Sequence, residues 1–492
     1  MSFWTLESIK SLLGGSWLAR GAPGATPLAG VVIDSRLVKP GNVFLAMKGE
    51  RVDGHAYLAA AKEAGAGLAI VEDVAACGTL PSGLAVLKVE RTAAALIRLA
   101  TEYRATLEGT KVVAVSGSNG KTTTTRLLHG VLGAHLRGVA SHKSFNNAIG
   151  VPLTVLAAKP GDKFLICEVG TNAPGEIAVL AEIVKPDISV ITSIGREHLE
   201  GLGSLQGVIA EEAAIASGIQ PGGVAIVPDA PAEIVESVRA RMMSSGHAKP
   251  NLVRFGATPQ AEWRVGGIDV DETGTSFTIN ERMKFRTKLV GAHNAFNAAA
   301  VVAAARRFGL EDAAIAAALA DAGGAEYRLA LEQHAGIALL NDAYNANPDS
   351  MLAGLRTFSD LARRRNPARR IVVLGDMLEL GDAAPDSHRE IGDAVGGDAS
   401  IDMAILVGPL MMFAAERLRK KWTGEKVVIL PPLDDDASAA RLAGMLRPGD
   451  FVFLKGSRRM GLERVAKCVK AALDGARIAP AANASLSSPA HG

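Results

Sequence analysis

A glycine-rich segment near residue 120 combines residue types that can bind phosphate. Its glycines let backbone N–H groups approach phosphate oxygens closely, Lys121 adds a positive charge, and the Thr122 hydroxyl can bind Mg²⁺. The candidate residues of this segment are Gly117, Ser118, Asn119, Gly120, Lys121, Thr122 and Thr123. The segment therefore predicts a nucleotide-binding loop.

The spacing of this loop departs from the usual phosphate-loop pattern. That pattern has an earlier glycine where this chain has Val115, so only Gly117-x-x-Gly120-Lys121-Thr122 remains. The alternative is an ordinary turn between a strand and a helix. Such a turn accounts for neither Lys121 nor the threonines, so nucleotide binding is the better interpretation.

Two more polar residues follow buried-strand patterns. Glu168 ends the apolar run 164–167, and His198 follows the run 188–194. Open α/β sheets place ligand-facing residues at such strand ends, so both are candidate Mg²⁺ ligands together with Thr122. The alternatives are a carboxylate solvated at the surface and a loop histidine with local hydrogen bonds.

The elements that would position these residues alternate along the chain. Apolar runs of strand length are followed by helical periodicity, which is typical of mainly parallel sheets with crossover helices. We predict an α/β protein with a small mixed domain over 1–108, a central P-loop-type ATPase domain over 109–324 and a Rossmann-like domain over 325–476. The strand-rich stretch 251–289 predicts a small antiparallel appendage to the central domain, and 477–492 predicts a disordered tail.

Composition narrows the possible partners. The 492 residues carry a formal net charge of +2, which argues against binding nucleic acid or an anionic membrane surface. No apolar run is long enough to span a bilayer, and residues 1–20 predict a short amphipathic helix rather than a signal peptide. The widely separated Cys77, Cys167 and Cys468 fit a reducing compartment. We expect a cytoplasmic monomer.

Several segments, in the same order, closely resemble the Mur ligases, a family that includes the folylpolyglutamate synthases. They are the loop 117–123, Glu168, the His-Leu-Glu sequence at 198–200 and the segment 291–299. Within that family, 342–348, 375–381 and 455–458 look like the member that adds D-alanyl-D-alanine. The resemblance runs from about Val31 to Val469.

The resemblance implies an ATP-dependent amide ligase of peptidoglycan synthesis. Such an enzyme adds D-alanyl-D-alanine to UDP-N-acetylmuramoyl-tripeptide, uses ATP and Mg²⁺, and releases ADP and phosphate through an acyl-phosphate intermediate. Lys121, Mg²⁺ and Arg328 would stabilise the charge on the transferring phosphoryl group. A family member that adds a diamino acid or glutamate is the nearest alternative, and a nucleotide-gated switch that forms no amide is an alternative of another class.

The resemblance also implies nucleotide contacts outside the loop. Asn294 would read the adenine, Asp342 would accept the ribose hydroxyls and Arg328 would reach the γ-phosphate. Each side chain suits its part, since an amide can pair with a base edge, a carboxylate with hydroxyls and a guanidinium with phosphate. The alternatives are a helix N-cap, a turn aspartate and a surface arginine.

Substrate contacts are implied in all three domains. Ser35, Arg36 and Gly49 match positions that hold the UDP end, although Asp34-Ser35-Arg36 also fits a simple strand-end turn. The muramoyl-peptide positions are matched by Asn146, Asn147, Thr171 and Asn172, which are otherwise turn formers. Candidates for D-alanyl-D-alanine are Tyr344, Asn345, Asn347, Asp376 and Arg458.

This chain departs from the family at a metal-binding position. Many relatives carry a carbamylated lysine in the helix after the His-Leu-Glu sequence, and Glu212 stands there instead. We hypothesise that the Glu212 carboxylate supplies the anionic oxygen directly, since Mg²⁺ accepts any well-placed carboxylate. The alternative is a solvated pair, Glu211 and Glu212. Ala173-Pro174, where relatives often have a histidine, and the charged Arg196-Glu197 before His198 are further departures.

Overall fold

The computed structural model describes residues 3–21 and 27–471, and it forms two compact units. The first unit extends to Ala325 and also includes Glu379–Asp382, whereas the second contains Glu326–Leu378 and the chain from Ala383 onward. The predicted tail, 477–492, lies outside the described residues. Five-, nine- and six-stranded sheets form the framework, which agrees with the predicted α/β class.

A five-stranded sheet begins the first unit. Its strands are β1 (Ser16–Arg20), β2 (Val31–Val32), β3 (Val43–Leu45), β4 (Leu68–Val71) and β5 (Ala85–Lys88), and its helices are α1 (Leu6–Leu13), α2 (Leu58–Glu63) and α3 (Thr92–Ala105). The strand order is β1-β5-β4-β3-β2, with β1 antiparallel to β5 and the others parallel. The predicted helix over 1–20 is therefore too long: Gly14, at φ 68°, ends α1, and a strand follows.

The nine-stranded sheet carries the phosphate loop. Its strands are β6 (Lys111–Ser116), β7 (Gly138–Ala140), β8 (Phe164–Glu168), β9 (Ile188–Ile191), β10 (Val224–Pro228), β11 (Leu252–Gly256), β12 (Trp263–Asp271), β13 (Gly274–Ile279) and β14 (Met283–Thr287). Their order is β14-β13-β12-β11-β10-β9-β6-β8-β7. The predicted antiparallel segment is β12 to β14, and because β12 pairs in parallel with β11 it extends the central sheet.

Helices cover both faces of this sheet. They are α4 (Lys121–Gly133), α5 (Gly150–Ala157), α6 (Glu176–Val184), α7 (Leu199–Leu202), α8 (Leu205–Ala213), α9 (Ala232–Ser244), α10 (His293–Arg306) and α11 (Asp312–Asp321). The alanine-rich α10 is buried along most of its length and packs with α4 on one face. On the other face, α3 packs against α5 and α6, so the core of the first sheet continues into that of the second.

The second unit contains the six-stranded sheet. Its strands are β15 (Ala330–His334), β16 (Ile337–Asp342), β17 (Arg369–Gly375), β18 (Met403–Val407), β19 (Val427–Leu430) and β20 (Asp450–Lys455), and its helices are α12 (Pro348–Arg365), α13 (Ala384–Gly397), α14 (Met411–Leu418), α15 (Asp436–Ala443) and α16 (Glu463–Ala471). The order is β15-β16-β20-β17-β18-β19, and only β15 is antiparallel to its neighbour.

Within 3–21 and 27–471, every helix is too short or too polar to cross a bilayer.

Candidate functional site

The phosphate loop connects β6 to α4, and its two glycines are required by the local packing. Gly117 has φ 118° and Gly120 has φ 90°, a left-handed region that favours glycine. A Cβ atom on Gly117 would lie 2.3 Å from Thr192 Oγ1, and one on Gly120 would lie 2.3 Å from Asn297 Oδ1. No other residue type fits this backbone without displacing its neighbours.

The segment 192–195, which follows β9, forms hydrogen bonds with the phosphate loop. The Ser118 hydroxyl accepts the Gly195 N–H at 2.8 Å, and the Asn119 N–H donates to Ser193 Oγ at 3.0 Å. The Thr192 hydroxyl donates to the Asn119 carbonyl at 2.6 Å. These bonds fix the loop backbone and leave α4 to begin directly at Lys121.

Lys121 is turned back over its own loop. Its ammonium donates to the Gly117 carbonyl, to the Ser118 carbonyl at 3.3 Å and to Glu197 Oε2 at 3.5 Å. The side chain is only 14% exposed. A positive charge with this little solvent is strongly stabilised by any anion that replaces these acceptors.

Glu168 is buried at the end of β8. It is 1% exposed, and its Oε1 accepts the Thr122 hydroxyl at 3.1 Å and the Asn146 side-chain amide at 3.0 Å. The alternative of a carboxylate solvated at the surface is therefore wrong. Because β6 and β8 are parallel neighbours, the hydroxyl and carboxylate predicted as Mg²⁺ ligands lie side by side.

His198 lies after β9 in a left-handed conformation, with φ 49°. Its Nδ1 lies 2.6 Å from Glu379 Oε2, within the first unit. Because a carboxylate accepts, Nδ1–H donates to Glu379 and the Nε2 lone pair remains for another ligand. Nε2 lies 3.8 Å from Glu197 Oε2. Burial lowers the pKa of His198, as does the charge of Lys121, which favours the neutral imidazole.

Glu212 is completely buried, so the alternative of a solvated acidic pair is wrong. Neither of its carboxylate oxygens makes a hydrogen bond of good geometry with the described residues, although the Ser116 hydroxyl and the Gly117 backbone lie close enough to favour its charged form. Burial raises the pKa of Glu212, and Lys121 opposes that shift. The adjacent Glu211 instead accepts two N–H groups at the start of α6.

Glu197 is a buried acid that we did not select from the sequence. It is 6% exposed, and its Oε1 has no hydrogen-bond partner among the residues described. Burial raises its pKa, Lys121 opposes the shift, and the negative charge of Glu212 adds to it. The sequence feature that could have identified Glu197 is the charged pair Arg196-Glu197 before His198, which we noted only as a departure from the family.

The donor set around the loop suits a hard divalent cation. Mg²⁺ takes one or two carboxylates and completes its shell with water and phosphate oxygens. Within the described ranges, no three His, Cys, Asp or Glu side chains already surround one point. The buried carboxylate oxygens of Glu197 and Glu212 without good hydrogen bonds are nevertheless the kind of group that a cation stabilises.

Asn294 lies in the first turn of α10 and is 4% exposed. Its amide donates to the Val290 carbonyl at 2.9 Å, and its Oδ1 accepts the Asn297 amide at 3.1 Å. The N-cap position is Ala292, so the N-cap alternative is wrong. Its partner Asn297 lies directly against Gly120 of the phosphate loop.

In the second unit, Asp342 forms an ion pair at the end of β16. Its Oδ2 lies 2.5 Å from Lys455 Nζ, and its Oδ1 accepts the Leu329 N–H at 3.2 Å. Lys455 also donates to the Asn345 carbonyl at 3.0 Å. The carboxylate is thus held by a buried lysine, and a simple turn aspartate does not describe it.

Other candidates of this unit have structural contacts. Asn347 caps α12 by accepting the Ser350 N–H at 2.9 Å, and Asn345 Oδ1 accepts the Arg458 N–H at 3.3 Å. Asp376 accepts the Met411 N–H at 2.9 Å, and burial raises its pKa. The aromatic ring of Tyr344 contacts the guanidinium groups of Arg328 and Arg458.

The candidates in the amino-terminal sheet are exposed or half-buried. Arg36 pairs with Asp34 at 2.6 Å and its side chain is 86% exposed, with Ser35 beside it in a short 3₁₀ turn. Gly49 donates its N–H to the Val52 carbonyl at 2.9 Å. The strand-end turn expected as the alternative is therefore present. The Arg36 side chain is nevertheless exposed, so an anion from solution can reach it.

The remaining predicted substrate residues lie in loops beside β8. Asn147 accepts the N–H groups of Ile149 and Gly150, and Thr171 donates to the Ala173 carbonyl. Asn172 is exposed, and its N–H donates to Glu176. Asn146 is the member of this group that contacts Glu168.

Comparison with known proteins gives family matches along the chain. The matching families are the Mur ligase family catalytic domain over 27–104, the Mur ligase middle domain over 115–305 and the Mur ligase glutamate ligase domain over 327–458. The UDP-N-acetylmuramoyl-tripeptide–D-alanyl-D-alanine ligase of Bacillus subtilis is 34% identical over 467 residues, which cover 94% of this chain and 97% of that protein.

The fold of this chain is also similar to solved structures of MurF ligases. The crystal structure I of MurF from Acinetobacter baumannii has a TM-score of 0.79 and 29% identity, and the match covers 95% of this chain and 98% of that one. MurF from Thermotoga maritima in complex with ADP has a TM-score of 0.73 and 26% identity, covering 91% and 98%.

Proposed function

The chain belongs to the Mur ligase family, and we propose that it is an ATP-dependent ligase that joins D-alanyl-D-alanine to UDP-N-acetylmuramoyl-tripeptide. The product is the UDP-muramoyl-pentapeptide used for peptidoglycan, and ADP and phosphate are released. Similarity along nearly the whole length of the Bacillus subtilis ligase supports this substrate assignment.

One observation in the structure carries the proposal. The phosphate loop, with Lys121 and Thr122, meets the buried Glu168 at the ends of two neighbouring parallel strands. This arrangement joins a fixed positive charge, a hydroxyl and a carboxylate at one sheet edge, which phosphoryl transfer from Mg-ATP requires.

The reaction has two steps. A carboxylate oxygen of the tripeptide attacks the γ-phosphorus, an O–P bond forms, and the bond to the ADP oxygen breaks. The amine of D-alanyl-D-alanine then attacks the acyl carbon, loses a proton, and phosphate leaves. Lys121 of the loop would neutralise charge on the phosphoryl group, and the resemblance to the family implies the same role for the Arg328 guanidinium.

Thr122, Glu168, His198 and Glu212 would hold Mg²⁺. The ion, when bound, neutralises phosphate charge and aligns the γ-phosphate. Full burial and the lack of well-formed hydrogen bonds support Glu212 as a direct carboxylate ligand in place of a modified lysine. The hydrogen bond from Nδ1–H to Glu379 supports His198 as a ligand through Nε2.

Recognition of the rest of the substrates is distributed over the chain. We propose that Asn294 reads adenine, that Asp342 receives the ribose hydroxyls, and that Arg36 beside Ser35 and Gly49 pairs with the pyrophosphate of UDP. Residues for the muramoyl peptide are Asn146, Asn147, Thr171 and Asn172. We place the reaction in the cytoplasm, where ATP and UDP-linked precursors are available and Cys77, Cys167 and Cys468 stay reduced.

A phosphate-release assay with product mass spectrometry tests the proposal. Release should require ATP, UDP-N-acetylmuramoyl-tripeptide and D-alanyl-D-alanine together, and the product mass should equal that of the pentapeptide precursor. Release with folate and glutamate, or with a diamino acid in place of the dipeptide, would overturn the substrate assignment. Slow release from ATP alone without amide formation would identify a nucleotide-gated switch instead.

A further inference from the structure

Two arginines of the second unit share one aromatic ring. The Arg328 guanidinium carbon lies 4.2 Å from the Tyr344 ring centre, and that of Arg458 lies 5.5 Å from the same centre. Both distances fall within the range of cation–π attraction. The two cations are therefore at most ~10 Å apart, the sum of the two distances.

The backbone around Arg328 is tied to the strand end that carries Tyr344. The residues on either side of Arg328, Tyr327 and Leu329, have φ values of 60° and 49°. Such left-handed conformations are unfavourable for residues other than glycine, so the surrounding contacts must hold them in place. The Tyr344 N–H donates to the Tyr327 carbonyl at 3.2 Å, and the Leu329 N–H donates to Asp342 at 3.2 Å. These bonds hold Arg328 over the ring.

Arg458 reaches the ring from the segment after β20. Its N–H donates to Asn345 Oδ1 at 3.3 Å, and its Nη1 lies 3.5 Å from Glu463 Oε1. The side chain nevertheless remains 55% exposed. Its guanidinium is thus oriented by the tyrosine but still open to an anion from solution.

Two guanidinium groups lie near one ring, and the Glu463 carboxylate, 3.5 Å from Arg458, offsets part of that positive charge. The half-exposed Arg458 guanidinium has five N–H donors and can still donate to a second anion. The proposed reaction brings two anions: the transferring phosphoryl group and the terminal carboxylate of the incoming dipeptide. A carboxylate is best recognised by the planar donor fork of an arginine. Arg328 is assigned to the phosphoryl group, which leaves Arg458 for the carboxylate.

We propose that Tyr344 is a positioning residue that holds Arg328 and Arg458 together, and that Arg458 binds the terminal carboxylate of D-alanyl-D-alanine. This inference rests on the proposed function. The attacking amine would then be delivered at a fixed distance from the phosphoryl-binding arginine, because one ring sets the position of both cations.

The experiment compares D-alanyl-D-alanine with D-alanyl-D-alaninamide, which lacks the terminal charge. The full-length chain and its Tyr344→Leu, Tyr344→Phe and Arg458→Met variants are assayed for kcat and KM with ATP and UDP-N-acetylmuramoyl-tripeptide. Tyr344→Leu should reduce the preference in kcat/KM for the acid over the amide by roughly tenfold. Tyr344→Phe keeps the ring and should stay within about threefold of the natural chain.

A double variant tests whether Tyr344 and Arg458 act on the same contact with the dipeptide carboxylate. Arg458→Met should remove most of the preference for the acid, and adding Tyr344→Leu should reduce it little further, because the two residues act on one contact. Phe413→Leu is the matched control, since it removes a different arginine–ring contact in the same unit, with Arg389 Cζ 4.9 Å from the ring centre. This control should keep the full preference.

The outcomes separate the inference from the proposed function. If the natural chain fails to ligate D-alanyl-D-alanine, the proposed function is wrong. If the natural chain ligates it but Tyr344→Leu keeps the full preference for the acid while remaining folded, the positioning role of Tyr344 is wrong. If Tyr344→Phe is as defective as Tyr344→Leu, the hydroxyl and not the ring is responsible, which also overturns the inference.

Discussion

The Glu197 carboxylate lies 3.5 Å from the ammonium group of Lys121, the fixed positive charge of the phosphate loop. Both side chains are largely buried, with exposed fractions of 8% and 14%. Lys121 therefore faces a buried carboxylate at the place where we propose that nucleotide phosphates bind. When a nucleotide phosphate pairs with Lys121, the Glu197 carboxylate loses its positive partner and can bind a cation instead. Nucleotide binding should therefore increase the affinity for Mg²⁺, and Mg²⁺ binding should increase the affinity for nucleotide.

Glu197→Gln should change metal-free and metal-dependent nucleotide binding in opposite directions. Burial raises the pKa of Glu197 to about 8, so the comparison is made at pH 9, where the carboxylate is charged. Without metal, ADP should bind the variant roughly tenfold more tightly at this pH, because a negative charge that competes for Lys121 is gone. The Mg²⁺ concentration for half-maximal activity should rise several-fold, because an anionic oxygen is lost. Calorimetry with ADP in EDTA and a Mg²⁺ titration of phosphate release measure the two effects.

Glu211→Gln is the control for this experiment. Glu211 is 6% exposed and lies on the same helix as Glu212, but its carboxylate accepts the N–H groups of Gly175 and Ile177 at 2.7 and 2.8 Å. Its neutralisation should leave metal-free ADP affinity unchanged. Weaker metal-free binding in Glu197→Gln, or an equal gain in Glu211→Gln, would contradict the competition between Glu197 and phosphate.

Gly117→Ala should abolish nucleotide binding. The added methyl group would lie 2.7 Å from the Thr192 N and 2.9 Å from the Ser193 N, which are backbone atoms that cannot turn away, and φ is 118°. The loop must therefore shift.

Gly133→Ala, at the end of helix α4, is the control variant, because its added methyl group would have no atom within 4 Å. This variant should bind ADP normally and be more stable by roughly 0.5–1 kcal/mol. Measurable ADP affinity in Gly117→Ala would contradict this loop geometry.

The strand–loop–helix unit and the place of Glu168 could be predicted from local pattern. A fully buried parallel strand appears as a short continuous apolar run, and parallel strands bring their carboxyl ends to one sheet edge. Thus the runs before Gly117 and before Glu168 were sufficient to predict that Thr122 and Glu168 meet. This prediction needs no knowledge of the rest of the chain.

Long-range ion pairs could not be predicted in this way. Glu197 is 76 residues from Lys121, and Asp342 is 113 residues from Lys455, so no periodicity connects them. Strand β15, Ala330–His334, was also missed, because this sheet-edge strand has only partly buried or exposed residues and lacks an apolar run. Tertiary packing, and not local sequence, determines these features.

Glu212→Gln should weaken metal binding without destabilising the chain. Burial raises the pKa of Glu212, so a neutral isostere should cost little stability at pH 8, and the thermal midpoint without ligand should not fall. The affinity for Mn²⁺, measured by electron paramagnetic resonance with ADP present, should fall roughly tenfold. Full activity of Glu212→Ala at limiting Mg²⁺ would eliminate Glu212 as a ligand.

His388 should make the stability of the second unit depend on pH. The residue is fully buried, its Nε2 accepts the Met377 N–H at 3.0 Å, and its Nδ1–H donates to the Ala384 carbonyl at 2.7 Å. Burial lowers its pKa from 6.5, while Ala384 and Asp376 oppose the shift. The unfolded chain therefore takes up a proton near pH 6.5 and the folded chain only at lower pH, so stability is lost as pH falls below 6.5.

His388→Gln should remove this pH dependence. At pH 7.5 the variant should be less stable by roughly 1–3 kcal/mol, because a buried hydrogen-bonded ring is replaced imperfectly. Between pH 7.5 and 5.5 the natural chain should lose more stability than the variant, by up to about 1.4 kcal/mol per pH unit below 6.5. Urea unfolding at the two pH values measures both quantities. Equal losses in the two proteins would mean that groups other than His388 cause the acid sensitivity.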